Sequence, residues 1–166
     1  MSQNFTLEGH DLSDLFDLTK PPVSFADDCK NHIPEYGSLV YTVWNPAEEF
    51  IYVGIGGTGQ KPDTPLEDRN PRSRISQHSQ GRRSGDQFCI YVHDFFVLPQ
   101  LIASGEYEPE RGYLDRLTKE YIHEHLRYRF KVFQTEDSVQ IVRHLETALK
   151  KGAFGFPPPF LNGSVG

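Results

Sequence analysis

Apolar and polar positions alternate through SLVYTVW, residues 38 to 44, with Leu39, Tyr41 and Val43 on one side and Val40, Thr42 and Trp44 on the other. A period of two, carried by β-branched and aromatic residues, is the pattern of a strand. EFIYVGI, residues 49 to 55, predicts a second strand, and Asn45-Pro46-Ala47-Glu48 between them has turn chemistry. A four-residue loop pairs Trp44 with Glu49 and sets Tyr41 opposite Tyr52, bringing two phenols together on one face. YRFKVFQT, residues 128 to 135, predicts a later strand.

Between and after these strands the period changes to that of helices. Asn70-Pro71 is a cap followed by proline in the first turn, so a helix is expected from there to about Gln80, with Gly81 as its terminator. Residues 112 to 127 repeat apolar positions through Leu114, Leu117, Tyr121 and Leu126. From about Ser138 to Lys151 the stripe is Val139, Val142, Leu145 and Leu149, with Asp137 and Gln140 resembling a capping box. DQFCIYVHDFFVL, residues 86 to 98, fits both periods; its length and Asp86 as a cap favour helix. Residues 1 to 36 hold Pro21, Pro22 and Pro34 among acids and read as an arm with one short helix near Asp11 to Leu18. The tail FGFPPPFLNG is extended by its prolines. The sum is an α+β domain over residues 37 to 166. Its small antiparallel sheet has three strands, the hairpin plus the later strand, flanked by helices, and a helical region is inserted at about 84 to 111.

Composition narrows the class. At 166 residues and 37% apolar content the chain is long enough for one core and too apolar for disorder. No window approaches the roughly 18 apolar residues that span a bilayer, and the acidic N-terminus has no basic-then-apolar signal, so no membrane and a cytoplasmic location are expected. Cys29 and Cys89 are too far apart to suggest a zinc pair or a disulfide framework. The net charge of −6 opposes nucleic-acid binding overall, yet residues 69 to 83 contain Arg69, Arg72, Arg74, Arg82 and Arg83 with no acid among them. Arg127, Arg129 and Lys131 form a second basic cluster. A solvated basic face explains such runs in most proteins; arginine without lysine tilts the reading toward phosphate, which its planar fork suits.

YVGIGGTG, residues 52 to 59, contains the G-x-G-x-x-G of dinucleotide-binding turns. That site needs a helix directly after the glycines, and Pro62 and Pro65 stand there instead. The strand before the glycines already belongs to a hairpin, so a nicotinamide-dependent oxidoreductase is set aside.

The same tyrosine strands, taken with later residues, resemble the GIY-YIG nuclease family. Leu39-Val40-Tyr41 and Tyr52-Val53-Gly54 stand where that family has its two name-giving triplets. Arg74 and His78, four apart in RISQH, match its helix-borne arginine and histidine; Glu146 in HLETALK matches its metal-binding glutamate, and Asn162 in PFLNG its late asparagine. Leu39 and Val40 replace the glycine and isoleucine of the first triplet, the gap from Gly54 to Arg74 is long, and so is the insert. A chain of this size with that insert looks most like the restriction-endonuclease branch.

The resemblance implies a DNA endonuclease that hydrolyses phosphodiester bonds with one divalent ion per site, Mg2+ or Mn2+, held by Glu146. It implies a catalytic set of Tyr41, Tyr52, Arg74, His78, Glu146 and Asn162, with Tyr41, Tyr52 or His78 handling the proton of the attacking water. The basic residues Arg69, Arg72, Arg82, Arg83, Arg127, Arg129 and Lys131 would contact the DNA backbone. Cutting both strands at a site would call for a homodimer or sequential nicking. Each residue also has a plain reading: a half-buried strand tyrosine, a surface histidine, a turn asparagine, and for Glu146 an ion pair with Arg74 or Arg143. A nucleic-acid-binding module without turnover, or a repair or mobile-element nuclease, would carry much of the same pattern.

Overall fold

The structure, a computed structural model, describes residues 2–163. Its strands and helices in chain order are β1 (Thr6–Leu7), β2 (His10–Asp11), α1 (Ser13–Phe16), β3 (Val23–Ser24), β4 (Ser38–Trp44), β5 (Phe50–Gly56), α2 (Ser73–Ser79), α3 (Gln87–Val92), α4 (Leu98–Ser104), α5 (Tyr113–His125), β6 (Arg127–Phe133) and α6 (Ser138–Leu149). The α+β class and its antiparallel sheet are as expected. The main sheet, however, has four strands in the order β3-β6-β4-β5, not three. The extra strand comes from the proline-rich N-terminal segment, where Val23 pairs with Tyr128 and Ser24 with Arg127. Two residues beside two prolines carry no readable period, which is why the pattern of the sequence does not reveal them.

The hairpin differs from expectation in a way that matters. Its loop is five residues, with Trp44 opposite Phe50, so Trp44 does not pair with Glu49. A five-residue loop alone would turn Tyr52 to the face opposite Tyr41. A β-bulge then admits Ile51 as an extra residue, and the ladder resumes with Val43 opposite Tyr52 and Tyr41 opposite Gly54. Ile51 and Tyr52 consequently both pack on the Tyr41 side. The two phenols share a face as diagonal neighbours, not as a direct pair, with ring centroids 6.2 Å apart.

Alternation along β4 separates two cores. Leu39, Tyr41 and Val43 pack with Ile75 of α2, Phe88 of α3 and Ile122 of α5. Val40 and Trp44 pack on the other face with Leu15 and Phe16 of α1 and with Val142, Leu145 and Leu149 of α6. The helix around residues 86 to 98 is present and longer than expected. A wide π turn, His93–Val97, joins α3 to α4, with Pro99 following in the first turn of α4. That turn precedes the one residue in the segment with no N–H to donate. At α6 the capping box is not formed: Asp137 gives no cap bond, and its carboxylate accepts from the Thr135 hydroxyl at 2.6 Å instead.

β5 is an edge strand, and the C-terminal tail covers its middle. The Asn162 amide accepts from the Val53 N–H at 2.9 Å and donates to the Val53 carbonyl at 2.8 Å. One side chain thus satisfies both free backbone groups of an edge residue. Asn162→Ala is expected to cost about 1–2 kcal/mol, the net worth of two hydrogen bonds, and to speed hydrogen exchange at the Val53 amide. An unchanged exchange rate there would show that the tail is held by Leu161 packing alone.

Candidate active site

Tyr41 lies on β4, and its ring points into the layer between the sheet and α2. Room for it exists because Gly54, directly opposite, has no side chain; a Cβ at that position would overlap the phenol. Gly56 serves α2 in the same way, since a Cβ there would meet the Cβ of Arg74 at 3.3 Å. Two of the glycines in YVGIGGTG therefore let a ring and a helix come close to the strand.

The Tyr41 hydroxyl is 2.6 Å from Nε2 of His78, and Nδ1 of His78 is 2.7 Å from Oδ2 of Asp86. All three side chains are buried. Asp86 was expected only as a helix cap, and it does cap: its Oδ1 accepts from the Phe88 N–H at 3.1 Å. Its other oxygen faces the histidine and also receives the Cys89 thiol at 3.4 Å. Arg74 is half-buried one turn before His78 on α2, and its hydrogen-bonding partner is Gln77 Oε1 at 3.2 Å. Among the described residues it has no carboxylate partner.

Glu146 reaches this cluster electrostatically from α6, on the other face of the sheet. Its charge acts on both phenols, raising the pKa of Tyr41 and of Tyr52. The carboxylate is 22% exposed and pairs with Lys150 at 3.4 Å, one turn on, not with Arg74 or Arg143.

Burial dominates the titration of the tyrosines. It drives Tyr41 well above the ordinary phenol range, the Tyr52 charge adding to the rise and Arg74 opposing it. Tyr52 is pushed up to about 12 by burial, against Arg74 and the neighbouring Tyr41 hydroxyl. The expectation that Arg74 would lower a phenol pKa is thus right in sign and insufficient in size. Tyr41 is also wholly enclosed, so its hydroxyl has no opening to an attacking water; Tyr52 is the phenol with surface exposure. Burial holds His78 below the usual histidine range, despite the Asp86 hydrogen bond. Asp86 is raised by burial, but His78, Cys89 and Arg74 outweigh that and keep it below the usual carboxylate range. The chain is therefore an ionised Asp86 and a neutral His78 near pH 7.

Of the basic residues expected on DNA, Arg69 and Arg129 are buried, Arg72, Arg83, Arg127 and Lys131 are half-buried with partners in the protein, and Arg82 is exposed. Arg69 is 7% exposed and binds the Thr64, Thr135 and Glu136 carbonyls and the Ser138 hydroxyl. Arg129 is 6% exposed, bonded to the Asp17 and Lys20 carbonyls and lying over Trp44. These two are structural, and the expectation that they contact DNA is corrected. Arg72 donates to the Ile33 carbonyl, Arg127 to those of His123 and Leu126, and Lys131 to that of Asp11. Arg83 pairs with Asp115 at 2.7 Å, which leaves Arg82 as the exposed member of the set with no bond described. Charge counting along a sequence cannot see a carbonyl partner brought in by the fold. Arg74 lines a groove of about 940 Å³ that runs past Gly56, Gly57, Lys61 and Asn70.

Fold and site together define an α+β protein with a buried tyrosine–histidine–aspartate chain, an arginine beside it that has no acidic partner among the described residues, and a glutamate whose charge reaches it from the other face of the sheet. Comparison with known protein families, with curated proteins and with solved structures finds no match.

Proposed function

We propose that the protein is a metal-dependent DNA endonuclease of the GIY-YIG type, closest to that family's restriction branch. The observation that carries this reading is convergence. Two phenols on one hairpin and the histidine of α2 are in contact, the charges of Arg74 and Glu146 act on both phenols, and Arg74 also lines the open groove.

Glu146 is the residue that would hold a cation. Its carboxylate is accessible and its lysine partner exchangeable, and among the described residues no group of three His, Cys, Asp or Glu side chains competes as a site. A single carboxylate suits Mg2+ or Mn2+, which keep most of their waters, better than zinc. When bound, such an ion supplies charge stabilisation for the leaving 3′ oxygen. Arg74 faces the groove and meets the charge that builds on the phosphate oxygens. Tyr52, the half-buried phenol, orients the attacking water, with Tyr41 and His78 packed behind it. The groove along the glycine loop receives the backbone flanking the scissile phosphate, with Lys61 and Arg74 as its cations beside the carboxylates of Asp63 and Asp68.

Purified protein is expected to cut plasmid DNA with Mg2+ and not with EDTA, and Glu146→Gln to lower the magnesium stimulation at least tenfold while DNA is still retained in a gel shift. Discrete fragments would support restriction, a smear a less specific nuclease. DNA bound with a steep salt dependence and left intact would overturn the nuclease reading in favour of a binding module.

A further inference from the structure

We propose that Asp86 is the positioning residue at the inner end of a proton relay, Tyr52–Tyr41–His78, that accepts the proton of the attacking water; the proposal rests on the nuclease reading. The geometry allows one assignment of hydrogens. An ionised carboxylate only accepts, so Nδ1 of His78 carries the proton given to Asp86 Oδ2 at 2.7 Å. Nε2 is then an unprotonated acceptor, and the Tyr41 hydroxyl donates to it at 2.6 Å. Among the groups of this buried chain, that lone pair is the one able to take a proton at neutral pH, since both phenols are raised far above it. Asp86 selects this tautomer and stabilises the imidazolium that forms.

The relay balances. The water oxygen bonds to phosphorus as the bond to the 3′ oxygen breaks. The proton lost by the water passes to the Tyr52 oxygen, and the Tyr52 proton to the Tyr41 oxygen. That transfer crosses the contact of the two rings, whose centroids are 6.2 Å apart and where the Tyr41 hydroxyl acts on Tyr52. The Tyr41 proton passes to Nε2. It then leaves by the same atoms to solvent while the 3′ oxygen takes a proton from solvent, so each group ends as it began. The groups facing His78 are Tyr41 from β4, Tyr52 from β5, Arg74 on its own helix, and Asp86 and Cys89 at the start of α3. The ring of Phe88 closes its remaining side, with centroids 4.4 Å apart.

Asp86→Asn isolates this role, because asparagine keeps the side-chain volume and caps a helix as well as aspartate does. Nitrogen-15 NMR of the imidazole ring in the parent is expected to show the proton on Nδ1, with the Nε2–H form gaining population in Asp86→Asn. In DNA cleavage the variant is expected to lose about 100-fold in kcat at nearly unchanged KM. The sign of the pH effect follows from the same contact. Asp86 raises the pKa of His78 against burial, so removing its charge lowers it further, and the acid limb of the kcat profile moves to lower pH. A helix-capping role alone would move neither the tautomer nor that limb. A parent ring protonated on Nε2, or an Asp86→Asn variant that cuts at the parent rate with the parent profile, overturns the role of Asp86. A parent that binds DNA but never cuts it overturns the nuclease reading instead.

Discussion

Arg74→Ala is expected to lower kcat about a thousandfold, the upper end of what one lost transition-state donor costs, with little change in melting temperature. Stability should hold because the side chain is half-buried and its hydrogen-bonding partner is Gln77, while Ile75 and His78 anchor α2 in the core. Arg74→Lys should recover only part of the rate, since an ammonium cannot present two parallel donors to a phosphate. A spectroscopic readout needs no DNA. Arg74 lowers the pKa of Tyr52, so its removal should raise that phenol further in an ultraviolet tyrosine titration. Single-turnover cleavage at saturating DNA is the measurement for the rate. A variant that cuts at the parent rate would remove Arg74 from the site.

Gly54→Ala is expected to destabilise the protein by about 3 kcal/mol, the upper end for overpacking a buried site. The new Cβ would overlap the hydroxyl end of Tyr41, with ring carbon Cε1 at 2.9 Å, and that ring is fully buried. Overpacking of this kind costs about 1–3 kcal/mol. If the ring moves aside instead, the bond to His78 breaks and buried polar groups go unpaired, at a similar cost. Urea denaturation gives the stability change through its midpoint. Gly56→Ala is the control: its neighbour is the Arg74 Cβ at 3.3 Å, a milder contact, so its midpoint should move less. Equal midpoints for the two would show that Tyr41 has room to shift freely, and with it that the hydroxyl contact to His78 is loosely held.

Local pattern carried much of this architecture. Both strands of the hairpin, the helix closed by Gly81 with its positive φ of 67°, and the amphipathic α6 follow from spacing and turn residues within a few positions. The ambiguous run from Asp86 is helical because its cap is real. What short-range pattern missed has a common cause. The fourth strand, Val23–Ser24, has no period of its own and exists because β6 offers it an edge. The Asp86–His78 pair joins a helix end to the following loop, and a residue with a visible local task hid its second one.

Residue order alone therefore determined the class of fold and the main strands and helices from Ser38 to Leu149, because these depend on periods and caps that neighbouring residues impose on the backbone. Three-dimensional packing decided where each candidate side chain sits and what it touches. The bulge at Ile51 set the two tyrosines on one face, burial enclosed Tyr41 completely, and main-chain carbonyls drew Arg69 and Arg129 away from the surface. Register, burial and carbonyl partners are properties of contacts between distant segments, and charge or spacing along the chain does not encode them.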